Sequence, residues 1–327
     1  MVQRPIVSVI IPTYNYANFI SEAIDSVLNQ NIPQNEIEII VIDDGSTDNT
    51  SEVISKYKDR IKYVYQENSG KALAIKIGID VANGKYIFNL DADDIFLPDK
   101  IQKVLSVFER GKDIVHVSHP AIYWDIHDNT RKIENIPYDI KGRKIYGKDI
   151  LSFFYNRRLL FGGGSTFCAR ADVLKKIQIR KEIDMYIDEY LVLFTLNNGY
   201  SFFIEEPLSI WRIHSKNFSD VKYDRKKIER NMRSMEAVLS DVLNSDFENE
   251  IKVLYLLKTK VSKLAVKEAL NEKSLSNILD LWLYLIRNFR VINKNIFRVI
   301  KSYTVLNRSL PTYMLMKLKQ FKDRAGK

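Results

Sequence analysis

Residues 85–94 read KYIFNLDADD, a strand-forming run that breaks off into three carboxylates within four residues. Carboxylates are seldom buried without a partner, so the break marks where the chain leaves a sheet. The same pattern occurs twice upstream. Residues 6–11 (IVSVII) are a β-branched run that predicts a strand buried on both faces, ending at Pro12 and followed by Thr13, Tyr14 and Asn15. Residues 37–42 (IEIIVI) predict a second buried strand, which gives way to Asp43, Asp44, Gly45 and Ser46. Residues 61–65 (IKYVY) predict a third strand, which makes 85–90 the fourth. Helical spacing lies between them. Phe19, Ile20, Ala23, Ile24, Val27 and Leu28 share one face of 18–30, and 71–83 predicts another helix, closed by Gly84. Ser46 or Thr47 is the expected cap of a helix starting near Thr50.

This rhythm predicts an α/β fold, a Rossmann-like, mostly parallel sheet with helices on both faces. Such sheets bind ligands outside the carboxyl ends of their strands. Three polar strand ends should therefore converge on one edge. Asp91 and Asp93 stand at i and i+2, and strand alternation would point both the same way. Two carboxylates so placed make a hard oxygen site suited to Mg2+ or Mn2+. An isolated acidic turn would be only a solvated loop. Alignment with two other polar strand ends favours a site.

Further along, a helix is expected after Pro98 and Asp99 to about 110, β-rich structure over 113–145, and a helix over 147–160. FGGGSTFCAR (161–170) is a glycine-rich loop leading into strand. It lacks the lysine of a Walker loop and reads either as a place of close backbone approach to a ligand or as a flexible turn. Residues 172–198 read as mostly helical and 201–213 as short strands, and from about 224 the pattern is helical. The charge divides at the same place. Residues 1–220 carry 27 Lys+Arg and 30 Asp+Glu, whereas 221–327 carry 23 and 11. Two parts are expected, an α/β domain over 1–220 that carries the candidate site and a basic helical region over 221–327. The near-neutral first part argues against a nucleic-acid groove, which would be basic. Residues 281–327 hold 11 Lys+Arg and one acid, Asp323, interleaved with Trp282, Tyr284, Phe289 and aliphatics. That mixture suits an interfacial helix on an anionic membrane, or helices packed with basic outer faces. The lone Cys168 reads as buried filler, and no run is long and apolar enough to span a bilayer. The expected location is the cytoplasm, with peripheral contact at the inner membrane face.

SVIIPTYNYANFISEAIDSVLNQ (8–30), EIIVIDDGSTDNT (38–50), NSGKALAIKIGIDVANGKYIFNLDADD (68–94) and LPDKI (97–101) together resemble the inverting family-2 glycosyltransferases of the GT-A fold. A looser likeness continues through DEYLVL (188–193) and EEPLSIWRIHSKNFS (205–219). The resemblance implies that Asp44 binds the nucleotide base, with Tyr14 beside it. It puts Pro12, Lys71, Asp91, Ala92 and Arg212 in the nucleotide-sugar site, and Asp93, Asp91 and His214 around the metal. The acidic pair Asp188-Glu189 replaces the family's Glu-Asp, so the base is Glu189 by position, with Asp188 as the other candidate. Lys76 stands where the family often has Asn. It is read as a cation near the phosphates or as a surface lysine on the helix.

The resemblance thus implies a metal-assisted transfer, with inversion, of a sugar from a nucleoside-diphosphate sugar, UDP-linked in the first instance. The acceptor would be a hydroxyl of a glycan or lipid-linked molecule, in cell-surface polysaccharide synthesis. A carboxylate takes the acceptor proton while the metal neutralises the leaving diphosphate. Two other classes are the alternatives. A nucleotidyltransferase would need a Gly-rich, basic N-terminal loop, which IVSVIIPTYNYANF lacks. A non-catalytic membrane-surface binding protein would draw only on the basic region.

Overall fold

The computed structural model describes residues 4–151, 162–215, 217, 225–269 and 275–288. Two compact units divide the chain, Met1–Ile150 with Leu160–Lys222 and Leu151–Leu159 with Tyr223–Lys327.

In the first unit, β1 (Val7–Thr13), β2 (Ile37–Asp43), β3 (Lys62–Tyr65) and β4 (Tyr86–Asn89) form a continuous parallel block of the sheet, as the β-branched runs require. They lie in the order β3-β2-β1-β4. Helices α1 (Ile20–Leu28), α2 (Thr50–Ser55) and α3 (Lys71–Val81) connect them. Strand order reverses between β1 and β4, the switch point at which such sheets open a crevice. Further along come β5 (Ile95–Phe96), α4 (Lys100–Phe108), β6 (Ile114–Ser118), β7 (Ala121–Asp125), β8 (Thr130–Ile133), β9 (Lys144–Tyr146) and β10 (Cys168–Arg170). They are followed by α5 (Ala171–Leu174), α6 (Ile187–Leu196), β11 (Tyr200–Phe203) and β12 (Ser209–Ile213). The large sheet continues β4-β10-β6-β11-β9, and β10 runs antiparallel to both neighbours. A reversed β10 brings the loop before it, the glycine-rich one, to the edge where β4 ends. A second sheet, β5-β12-β7-β8, carries Arg212 on β12.

Every residue of β1 and β4 is buried, and Val9, Ile11, Ile24, Val41, Phe88 and Val104 belong to one core. Cys168 is part of that core, and burial pushes its thiol up to about 12, which suits an inert filler.

Four local expectations are corrected. Pro12 does not end β1, which runs on to Thr13. Pairing with β4 stops at Ile10, so the missing N–H of Pro12 faces no partner strand on that side. Neither Ser46 nor Thr47 caps α2. The cap position is Asn49, whose side chain makes no capping bond, and Asp48 Oδ1 just before it accepts the Thr50 N–H at 3.0 Å. Gly84 does not close α3, which ends at Val81. It lies instead against β1, where a Cβ would stand 2.6 Å from the Val7 carbonyl carbon. Finally, residues 91–94 form a turn beyond β4, with the Asp94 N–H bonded to the Asp91 carbonyl at 2.9 Å. Strand alternation therefore does not orient Asp91 and Asp93.

The second unit has α7 (Arg225–Asn244), α8 (Asn249–Ala269) and α9 (Leu275–Arg287). Lys263 pairs with Glu236 at 2.5 Å, and the Tyr284 hydroxyl donates to the Val253 carbonyl at 3.1 Å. Most of the helix expected over 147–160, the boundary near 220 and the basic stretch from 289 onward lie outside the described residues.

Gly84→Ala forces a methyl group against backbone rather than a movable side chain. It should lower stability by about 1–3 kcal/mol in chemical denaturation, the usual cost of overpacking.

Candidate active site

The ends of β1 and β2 are knitted together. Asn15 sits in the left-handed region at φ 60, where its Oδ1 accepts the Thr47 N–H at 2.7 Å while its own N–H donates to Ser46 Oγ at 2.9 Å. Asp43 is structural, accepting the Ser46 N–H at 2.8 Å and the Tyr63 hydroxyl at 2.9 Å. Asp44, also buried, accepts from Gln66 Nε2 at 2.5 Å and from the N–H groups of Ser69 at 2.7 Å and Gly70 at 2.9 Å. It therefore shapes the 66–70 loop, with about one of its four lone-pair positions left for a ligand. Gly45 lies at φ +77 against Asn68, where a side chain would collide with backbone. Tyr14, 45% exposed, stands at the same edge with its ring available for stacking.

The acidic centre follows the β4 end. Lys71, first residue of α3, bridges Asp91 Oδ1 at 2.8 Å and Asp188 Oδ2 at 2.9 Å. Burial works against its ammonium, but the charges of Asp188 and Asp91 outweigh that and hold it protonated. Burial, joined by the charges of Asp188 and Asp93, pushes the Asp91 carboxyl up to about 6 in spite of Lys71. Its side chain is 27% exposed, so water softens this shift. Asp94 is pushed well up as well, by burial and then by Asp93 and Asp91. The turn holds more negative charge than the nearby side chains neutralise.

Asp93 faces elsewhere. Its Oδ2 lies 3.2 Å from His214 Nε2 and 3.2 Å from Asn217 Nδ2. His214 is fixed by stacking on Phe19, with ring centroids 4.3 Å apart at 15°. Two ligands at right angles around Mn2+ or Mg2+ lie about 3 Å apart, so this oxygen and nitrogen fit one ion. Among the described residues no three His, Cys, Asp or Glu side chains gather into a complete metal site. The remaining ligands would have to come from phosphate and water. The Arg212 guanidinium is committed within the protein, to the Asp93 carbonyl, to Glu22 at 2.9 Å and to the Phe19 carbonyl at 3.3 Å. Pro12 and Ala92 are buried. Lys76 pairs with Asp80 at 2.5 Å along its own helix, as a surface lysine.

The glycine loop closes the site. A Cβ at Gly163 would stand 3.2 Å from Asp188 Cβ, and one at Gly164 would stand 3.4 Å from Asp91 Oδ2. Asp188 Oδ1 is buried without a hydrogen-bond partner among the described residues, and Asp188 Oδ2 lies 3.9 Å from where a Gly164 Cβ would stand. Glu189 is half-buried beside Tyr186, whose hydroxyl is pushed up to about 12 by burial and the charge of Glu189. Sequence reasoning missed Tyr16, Gln66, Ser165 and Asn217. Tyr16 hydrogen-bonds Asp93, and both burial and that charge hold its phenol protonated. Asn217 lay three residues past His214, a spacing that a tight turn would have suggested.

The sequence model for the family described as glycosyl transferase family 2 matches residues 8–177. An uncharacterised glycosyltransferase of Nostoc sp. is 34% identical over 220 residues, covering 64% of this chain and 66% of that protein. The match thus spans just under two thirds of that relative. A chondroitin synthase of Pasteurella multocida is 40% identical over 116 residues, 35% of this chain and 12% of the synthase. In fold, the chain resembles S. aureus TarS 1–349 in complex with UDP-GlcNAc, with TM-score 0.62, 16% identity and coverage of 88% and 81%. It also resembles the mannosyltransferase PcManGT of Pyrobaculum calidifontis in complex with GDP-Man and Mn2+, with TM-score 0.56, 17% identity and coverage of 93% and 85%.

A carboxyl with a raised pKa favours the folded state while protonated, and that advantage is lost as pH rises from its unfolded value of about 4 to about 6. A divalent ion relieves repulsion only between ionised groups. Mn2+ should therefore raise the melting temperature more at about pH 7.5 than at about pH 5, and Asp93→Asn should remove most of that difference. Equal shifts at both pH values would contradict this. Lys71→Met strips two carboxylates of their cation and should cost about 2–4 kcal/mol in denaturant unfolding near neutral pH. The cost should shrink toward pH 5.

Proposed function

The chain belongs to glycosyl transferase family 2 and is a glycosyltransferase, and we propose that it moves a sugar from a nucleoside-diphosphate sugar to an acceptor hydroxyl with inversion. The carrying observation is the Lys71 ammonium between Asp91 and Asp188, at the switch point of the sheet and opposite the gap left by Gly164. Tyr14 and the remaining acceptor position of Asp44 would hold the base. Lys71 and the N-terminus of α3 would face the diphosphate, as helix N-termini do for anions. The gap beside Gly164 would receive the sugar, next to Asp91 Oδ2 and Asp188 Oδ2. Asp93 and His214, with Asp91 nearby, would hold Mn2+ or Mg2+, which as a Lewis acid neutralises charge on the diphosphate.

Asp188 already gives Oδ2 to Lys71. We therefore assign the proton-accepting role to Glu189, the next residue on α6. Its carboxylate takes the proton of the attacking hydroxyl on the face opposite the departing diphosphate, as a single displacement requires. A UDP-linked donor is the first to test, because the neighbour with the higher TM-score was solved with UDP-GlcNAc. A glycan or lipid-linked acceptor in surface polysaccharide synthesis is supported by the likeness to a chondroitin synthase and by the basic charge of 281–327. That charge also supports peripheral contact with an anionic membrane. No helix among the described residues is long and apolar enough to cross one.

The test is release of nucleoside diphosphate from a panel of sugar nucleotides with Mn2+. Asp93→Ala should slow release at least about 100-fold on the preferred donor. Equal rates on every donor for wild type and variant would reject the reading. Glu189→Gln should reduce kcat about 1,000-fold at little cost in donor KM, and Asp188→Asn should act mainly on donor KM. The reverse pattern would exchange the two roles.

A further inference from the structure

Lys100 is fully buried, and among the described residues its ammonium has no carboxylate in hydrogen-bond contact. Its Nζ donates to the Ser165 carbonyl at 2.5 Å and to Ser209 Oγ at 3.0 Å, and sits 3.5 Å above the Phe96 ring centre. Ser209 Oγ donates to the same Ser165 carbonyl at 2.9 Å. The Ser165 hydroxyl in turn donates to Asp94 Oδ2 at 2.5 Å and accepts the Asp91 N–H at 3.0 Å. The Asp94 carboxylate closes the chain on its other oxygen, where Oδ1 accepts the Arg212 N–H at 3.1 Å. One cation thus joins the start of α4, the glycine loop and β12, which are the segments around the acidic turn.

We propose that Lys100 is a positioning residue of the transferase site. Its ammonium fixes Ser165, and through Ser165 it sets the height of the glycine loop and of Asp91 and Asp94. This rests on the glycosyltransferase reading for its effect on turnover, but not for its effect on the loop. A purely architectural residue here would more economically be apolar, because an ammonium in this position loses its hydration and is only partly repaid by neutral acceptors and a ring. Burial draws the ammonium down to about 8, so it is charged at neutral pH at some expense to stability. His116 secures the other end of the same loop, its Nε2 lying 3.2 Å from the Gly162 carbonyl.

The test compares full-length wild type with Lys100→Met, Ser165→Ala and the double variant. Lys100→Met should keep or raise the melting temperature. By hydrogen–deuterium exchange it should nonetheless speed exchange about tenfold in peptides covering 90–97 and 162–170, leaving those covering β1 and β2 unchanged. On whichever donor wild type turns over, kcat should fall about tenfold or more, with UDP binding in the presence of Mn2+ changed less than about threefold. The double variant should lose little more than the worse single one, because both act along one path. Unchanged exchange in the two peptides, a uniform rise across the sheet, or strictly additive losses would overturn the proposal. If Lys100→Met does not fold, Ser209→Ala, which keeps the ammonium, should raise exchange in the same two peptides about twofold to fivefold. If wild type releases nucleoside diphosphate from no donor, the functional reading fails, while the exchange data still decide whether Lys100 holds the loop.

Discussion

Like-charge repulsion governs the carboxyl edge of this sheet. Asp91, Asp93, Asp94 and Asp188 act on one another through a largely dry space, and each survives there through a partner drawn from a different part of the chain. Asp91 shares Lys71 with Asp188, Asp93 meets His214 and Asn217, and Asp94 takes the Ser165 hydroxyl and the Arg212 N–H. The arrangement explains why so many distant segments meet at one turn. It also explains why the turn remains short of positive charge, which is the condition for drawing in a cation and a phosphate donor together.

Placement of those partners depends on the reversed strand. A wholly parallel sheet would deliver the loop before β10 to the edge opposite the acidic turn. Antiparallel pairing of β10 with β4 and β6 delivers it to the same edge. The missing side chains of Gly163 and Gly164 then leave room beside Asp91 and Asp188, while Ser165 is anchored beneath. Close packing and open space are adjacent here, and the glycines mark the border.

Much of this was legible in the sequence. Buried parallel strands announce themselves as β-branched runs, and their ends announce themselves as polar breaks, so β1 to β4 and the converging edge followed from pattern alone. The family resemblance added Lys71, Arg212 and His214 from positions that periodicity could not single out. What escaped were relations fixed by tertiary contact. Nothing local says that Pro12 can remain in a strand, because the reason is that β4 stops pairing at Ile10. Nothing local shows that Arg212 spends its guanidinium on Glu22 and two carbonyls, or that Asp44 is mostly consumed by the 66–70 loop. Tyr16, Gln66 and Ser165 are ordinary residues until the fold brings them to a carboxylate.

The sequence distances within the site bear on how it is assembled during synthesis. Contacts around Asp44 and Asn15 span short stretches, 25 residues from Ser69 to Asp44 and 31 from Asn15 to Ser46. The acidic turn reaches much further, 74 residues to Ser165, 118 to Arg212 and 124 to Asn217. Long loops close slowly, and chains emerge from the ribosome amino end first. The half that would grip the nucleotide can therefore form while the other half is still being translated. Until Asn217 has left the exit tunnel, the acidic turn lacks most of its partners. The nascent chain completes the half around Asp44 first and the acidic turn last, so a truncated product would retain the first without the second.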